Sequence, residues 1–295
     1  MTCLNEELCR PDARKTLHKL RDEWSTCIRC SLGESRIQRD KTFVFGRGTT
    51  SGVMIIGEGP GDNEEKQGLP FVGRSGDLLH KIFAKLGLGE YYETNLVCCR
   101  SCAVATDRET GLPQFRTAYE KRGHPQELRY VDTPPTPPQY KACLPRLYEE
   151  IYLVDPTLIV CLGGKAAEVL LGRPITITQK RGTPLRVEVP GASFRPVLTD
   201  KEKKWLHRVK GMPGLHTISE QNTVGYFMLP TLHPAFVRRN LADHGADSPY
   251  RKLVADLRTI VRIHDYYQEA VFGILSTEVP EFDEEALHQQ IEEEG

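Results

Sequence analysis

The chain has 295 residues, 39% hydrophobic and 27% charged, the balance of a soluble protein with one large domain or two small ones. No run approaches the roughly 18 apolar residues of a membrane span. The opening MTCLNEELCRPDARKTLHKL lacks the apolar centre of a signal peptide, so a cytoplasmic protein without a membrane partner is expected. The formal net charge of −1 argues at first against a polyanionic partner, but its distribution matters. From Glu278 to Gly295 there are eight acidic residues and no Lys or Arg, and setting them aside leaves 39 basic against 32 acidic residues, a formal +7. Such a body suits displacement of counterions from phosphates, and it suits an ordinary solvated surface equally well.

In chain order, residues 1–24 read as a helix of mixed charge, followed by a tight turn at Cys27-Ile28-Arg29-Cys30. Val53-Met54-Ile55-Ile56 is a short apolar run entering Gly57-Glu58-Gly59-Pro60-Gly61, the pattern of a buried strand running into a glycine-rich loop. Leu78–Leu86 has helical spacing, and a second strand is expected near Thr94–Val97. Residues 103–139, rich in Gly, Pro and charge and closing on Thr133-Pro134-Pro135-Thr136-Pro137-Pro138, read as a surface insertion. A helix over Tyr140–Tyr152 follows, then a third buried strand at Leu158–Leu162. A helix over Lys165–Leu171 comes next, then a fourth strand near Thr223–Leu229 leading to Pro230-Thr231-Leu232-His233-Pro234-Ala235. A long helix covers Arg251–Gln268.

Strands alternating with helices predict a three-layer α/β/α fold around a central, mostly parallel four-stranded sheet. A single domain over 1–277, with the insertion at about 103–139, would precede an acidic, disordered tail at 278–295. In such sheets ligands bind beyond the carboxyl ends of the strands, where Gly57–Gly61, Asn95 and His233 fall.

Nine cysteines in a reducing compartment point to metal ligation or catalysis rather than disulfides. Cys27 and Cys30 form a CxxC turn, and Cys98, Cys99, Cys102 and Cys143 are further candidates. Four thiolates suit an iron–sulfur cluster or a zinc ion, and a lone CxxC also suits redox chemistry. Cys161, inside an apolar strand, reads as a buried small hydrophobe.

Several stretches occurring in order over about residues 24–262 resemble the family 4 uracil-DNA glycosylases. They are Cys27-x-x-Cys30; Gly57-Glu58-Gly59-Pro60-Gly61; Gly68-Leu69-Pro70-Phe71-Val72-Gly73; Thr94-Asn95-Leu96-Val97-Cys98-Cys99-Arg100; Cys143-Leu144-Pro145; Leu162-Gly163 with Ala166; Arg181-Gly182; and His233-Pro234-Ala235. The resemblance implies an enzyme that flips uracil out of single- or double-stranded DNA and hydrolyses its N-glycosidic bond, leaving an abasic site for repair. It implies a [4Fe–4S] cluster, in preference to zinc, on Cys27, Cys30, Cys99 and Cys143, and a monomer.

The resemblance also assigns roles. Phe71 stacks on the base, and Asn95, whose amide offers donor and acceptor, reads its O4/N3 edge. His233 stabilises charge developing at O2. Gly57 and Gly59 let backbone approach the base and sugar, and Glu58 and Glu64 are the carboxylates for water and the cationic sugar. Phe236 with Arg238 and Arg239 forms an apolar wedge flanked by cations for the DNA, and Arg181 meets phosphate. Lys180 and Lys201–Lys204 are further phosphate candidates. Each has a plainer reading: core Phe, turn Asn, His-Pro turn, helix-opening acids. Two alternatives are a superfamily member that binds DNA through the same fold and cluster without excision, and a nucleotide-binding enzyme. The latter lacks GxxxxGK[ST], and the acids after Gly61 would repel phosphate.

Overall fold

The computed structural model describes residues 13–50, 52–115, 128–190, 223–272 and 279–294. Lys201–Lys204, Cys3 and Cys9 lie outside the described residues. The first helices are α1 (Ala13–Ser25) and α2 (Ser31–Gln38), joined by the CxxC turn. Strands β1 (Arg47–Gly48), β2 (Val53–Gly57), β3 (Tyr91–Asn95), β6 (Leu158–Leu162), β7 (Leu185–Pro190) and β8 (Thr223–Thr231) form one sheet in the order β1-β3-β2-β6-β8-β7. Between β3 and β6, β4 (Cys102–Val104) and β5 (Tyr130–Asp132) pair as a separate antiparallel ribbon.

The four expected strands are the central ones, β3, β2, β6 and β8, and all are mutually parallel. β2 and β6 are buried at every position, which is why they appear in the sequence as unbroken apolar runs. Their side chains alternate between two core layers. Met54, Ile56, Ile159 and Cys161 join Trp24 and Leu147 on one face, whereas Val53, Ile55, Leu158, Val160 and Leu162 join Leu79, Phe83 and Leu257 on the other. The first layer is covered by α1, α5 (Pro137–Val154) and α6 (Gly164–Leu171), and the second by α4 (Arg74–Lys85) and α9 (Pro249–Phe272). The short helices α3 (Asp62–Gln67), α7 (Ile177–Lys180) and α8 (Pro234–Arg239) follow the loops after β2, α6 and β8. Among the described residues no helix is long and apolar enough to cross a membrane.

Two features differ from the sequence reading. The four parallel strands gain two antiparallel edges, β1 on β3 and β7 on β8. β1 has two residues, too few to show a period. β7 alternates, with Val187 and Val189 buried and Arg186, Glu188 and Pro190 exposed, the signature of an edge strand with one wet face.

The second is the acidic terminus, expected as disordered. Its residues Glu284–Glu293 form a helix, α10. The acids that suggested disorder sit where a helix tolerates them: Asp283 caps Ala286 N at 3.0 Å, and Glu284 and Glu285 occupy the positive first turn. Leu287 and Ile291, one turn apart, enter the second core layer. His288 stacks on Tyr250 with ring centroids 4.2 Å apart and bonds Leu241 O at 2.7 Å. Three of its acids meet cations of the body: Glu284 with Arg258 at 2.5 Å, Glu285 with Arg251, Glu294 with Lys81.

Because Leu287 is buried in the shared core, Leu287→Ala should destabilise the protein by about 2–5 kcal/mol. Denaturant titration measures this, and an unchanged midpoint would mean that α10 contributes nothing to the fold.

Candidate active site

The parallel strands end at one level, and the site residues hang from those ends. Gly57 closes β2 in register with Asn95 at the end of β3. Leu162 closes β6 opposite Thr231 on β8, and Gly163 N donates to Thr231 O at 2.8 Å. The ladder continues into the loops, with Leu96 N on Gly57 O at 2.9 Å and Val97 N on Glu58 O at 3.3 Å.

Gly57, Asn95 and Phe71 come together. A Cβ on Gly57 would lie 2.4 Å from Asn95 Oδ1 and 2.9 Å from Phe71 Cζ, so only glycine leaves this corner open. Asn95 is 4% exposed, and its side-chain amide takes part in none of the hydrogen bonds among the described residues. A buried amide without a protein partner is costly unless a ligand meets it. Phe71 is buried with φ at 52°, a strained setting for an aromatic residue that fixes where its ring sits.

His233 arrives from β8. Its Nδ1 accepts the Ala235 amide at 3.1 Å, capping α8, which places the ring proton on Nε2. Burial, with Arg239 nearby, pushes the imidazole down to about 4, so it stays neutral at physiological pH. The strand end beside it is tight: Gly163, at φ 91°, would put a Cβ 3.3 Å from His233 Cβ.

The two carboxylates part company. Glu64 accepts Gly61 N at 3.2 Å through one oxygen and Gly73 N at 3.1 Å through the other, clamping two loops together. Glu58, half-buried, accepts Tyr140 OH from α5 at 2.5 Å on Oε1, and Oε2 has no partner among the described residues. At Gly59 a side chain would start 2.9 Å from Val97 Cγ2, so this position presents backbone.

Phe236 is exposed on α8, with Arg239 also exposed and Arg238 reaching Arg74 O at 3.5 Å. Arg181 stands apart from them. Its Nη1 meets the buried Asp256 at 2.5 Å, and Asp256 also accepts Thr231 Oγ1 at 2.6 Å. Its charge neutralises a buried carboxylate behind β8, so the expectation that it meets phosphate does not fit its placement.

Cys27, Cys30, Cys98, Cys99 and Cys143, from three chain segments, line one cavity walled by Trp24, Leu32, Phe43 and Val97. Arg29 N approaches Cys27 Sγ at 3.5 Å, and Arg146 Nη2 approaches Cys143 Sγ at 3.8 Å. Cys98 lies fully buried against Cys143, and the contact, aided by Arg146, draws the Cys143 thiol below its ordinary range. Burial raises the Cys99 thiol to about 12. Cys102, on β4, is not on the cavity.

The description of the uracil DNA glycosylase superfamily matches residues 43–258, most of the chain. The chain belongs to the uracil DNA glycosylase superfamily. Among curated relatives of this superfamily member, a type-4 uracil-DNA glycosylase of Pyrobaculum aerophilum is 34% identical over 163 residues, 53% of this chain and 67% of that protein. One of Thermotoga maritima is 31% identical over 163 residues, covering 54% and 68%. Another, of Archaeoglobus fulgidus, is 27% identical over 182 residues, covering 59% and 75%.

Two residues of this glycosylase-superfamily site were not singled out from sequence. Tyr140 reaches Glu58 across 82 positions, and the fully buried Arg146 donates to Asn95 O at 2.6 Å and Leu96 O at 2.9 Å. Both share with Cys143 a stripe at three-residue spacing on α5, the one signal that could have found them.

The neutral, Nε2-protonated state of His233 is directly observable. Imidazole ¹⁵N shifts should show Nδ1 unprotonated and a midpoint near 4, well below the usual 6.5. A midpoint near 6.5 would remove the argument for a neutral donor. The unfolded chain takes up a proton on this ring that the folded one resists, so the ring's contribution to stability is complete above about 6.5 and is lost as pH falls toward 4.

Proposed function

We propose that this chain is a uracil-DNA glycosylase of base-excision repair. The observation that carries the reading is the corner where Gly57, Phe71 and the unpartnered amide of Asn95 meet at the strand ends. That corner suits a flat base with a donor–acceptor edge, extruded from the DNA. Phe71 stacks on the extruded uracil, and Asn95 pairs with its O4/N3 edge.

As the C1′–N1 bond breaks, its electron pair goes to the base and the sugar becomes cationic. The Nε2–H of His233 meets the negative charge gathering on O2. Glu58 takes the water: its free oxygen orients the molecule whose oxygen adds to C1′, accepts the proton released, and favours the cationic sugar meanwhile. Glu64 is left to hold the Gly61 and Gly73 amides, so of the two carboxylates Glu58 is the one we assign to chemistry. Phe236 fills the gap left by the flipped nucleotide, and Arg238 and Arg239 meet flanking phosphates. The chain acts as a monomer in the cytoplasm, whose reducing state suits a chain with nine cysteines, seven of them unlinked among the described residues.

Cys27, Cys30, Cys99 and Cys143 fit a [4Fe–4S] cluster. They bring thiols from three segments to one apolar-walled cavity, where an amide and a guanidinium are aimed at sulfur. With a cluster bound, these four thiolates would tie the α1–α2 turn, the segment after β3 and α5 to one another. Cys98, already buried against Cys143, is left out of the four.

The activity test is strand scission by alkali after incubation with a single-stranded oligonucleotide carrying one uracil. Scission should occur at the uracil and fall by about 10²–10³-fold in His233→Ala. Tight binding without scission would instead support a DNA-binding member that has lost excision. The cluster is tested separately by iron and sulfide content and absorbance near 400 nm. Cys99→Ser should lose it and Cys98→Ser keep it; the reverse pattern would reassign the ligand.

A further inference from the structure

Helix α5 turns a stripe of Tyr140, Cys143 and Arg146 toward the strand ends. Cys143 belongs to the thiol cavity and Arg146 to the backbone of β3. Tyr140 does something different. It is 6% exposed, and its hydroxyl donates to Glu58 Oε1 at 2.5 Å. Burial and the adjacent Glu58 hold the phenol proton firmly on, so the hydroxyl is the donor at any working pH.

We propose that Tyr140 is a positioning residue for Glu58: its phenol fixes one carboxylate oxygen so that the other faces the attacking water. The inference rests on the role given to Glu58 under the glycosylase reading and deepens it. A glutamate on a loop has three rotatable side-chain bonds, and nothing else among the described residues bonds the Glu58 carboxylate. Glu64, seven residues after the end of its strand, shows the contrast, since two backbone amides hold both its oxygens. The charged neighbours of Glu58 come from α6. Lys165 lies within its field, but its ammonium is bonded to Glu168 at 2.7 Å, so the pair neutralises itself. The short phenol contact is therefore the one directional restraint on this carboxylate. Because α5 also carries Cys143, the helix that would anchor the cluster aims the carboxylate as well.

A space-filling tyrosine and an aiming tyrosine respond differently to loss of one hydroxyl. Tyr140→Phe keeps the ring and removes only the donor. The experiment uses the full chain as purified, Tyr140→Phe, Glu58→Gln and the double variant. Single-turnover cleavage of a uracil oligonucleotide is measured beside binding of an oligonucleotide carrying 2′-fluoroarabino-uracil, whose glycosidic bond resists cleavage. Tyr140→Phe should slow cleavage by about 10- to 100-fold, with binding and melting temperature unchanged. In the Glu58→Gln background the same change should cost nothing further, because the group it aims is gone.

Unchanged cleavage in Tyr140→Phe beside a slow Glu58→Gln would overturn the proposal while leaving Glu58 in its role. So would slowdowns that multiply in the double variant, or a slowdown matched by weaker binding. A Glu58→Gln variant as fast as the parent would strike the role of Glu58 itself, and this arm separates that failure from the failure of Tyr140.

Discussion

Arg146 carries a full positive charge with no exposed surface, and the end of β3 is arranged around it. Its guanidinium donates to Asn95 O, Leu96 O and Thr94 Oγ1, and Glu150, one turn along α5, is its counter-ion. Glu150 is in turn held by Tyr92 OH at 2.7 Å and Thr94 Oγ1 at 3.1 Å. An isolated buried charge costs several kcal/mol, and here both Nη groups of Arg146 are met while its Nε has no partner among the described residues. The consequence is positional. The carbonyl of the residue proposed to read the base, and of the one after it, are fixed by a helix rather than left to loop mobility.

The same segment connects two regions that are distant in function. Asn95 lies four residues before Cys99, so the strand that delivers the amide proposed to read the base also delivers a thiol to the cavity. Arg100 follows at once and is bonded to Asp132 and Asp62, both at 2.6 Å. It thereby fastens β5, the return strand of the insertion, to α3 beside the glycine-rich loop. The insertion thus leaves and rejoins the fold through an ion-paired gate rather than hanging from a flexible neck.

Much of this was legible in the sequence because it is local. Val53–Ile56 and Leu158–Leu162 could only be buried strands, and the residues that follow parallel strands lie at the ligand-binding end by topology. The alternation in Leu185–Pro190 was also local, though six residues after a glycine turn are easily passed over. What stayed hidden depends on contacts between distant segments. The composition of the last residues suggested disorder because the two apolar positions that dock α10 are outnumbered by acids that look outward. Arg181 looked like a phosphate ligand because its buried partner, Asp256, comes 75 positions later. Tyr140 and Arg146 looked like ordinary helix residues, since neither has a meaning until β2 and β3 are laid beside α5.

The burial that keeps His233 neutral bears on what the site ignores. A protonated imidazole would carry a permanent charge into a region that DNA crosses with a phosphate at every nucleotide, and it would attract those phosphates whether or not a base were present. A neutral ring with one N–H offers them little. It gains strength only against an oxygen whose charge is growing, a few ångströms away and briefly. In the role proposed for His233, the burial that keeps the ring uncharged lets the pocket distinguish a transient anion from the standing anions that surround it.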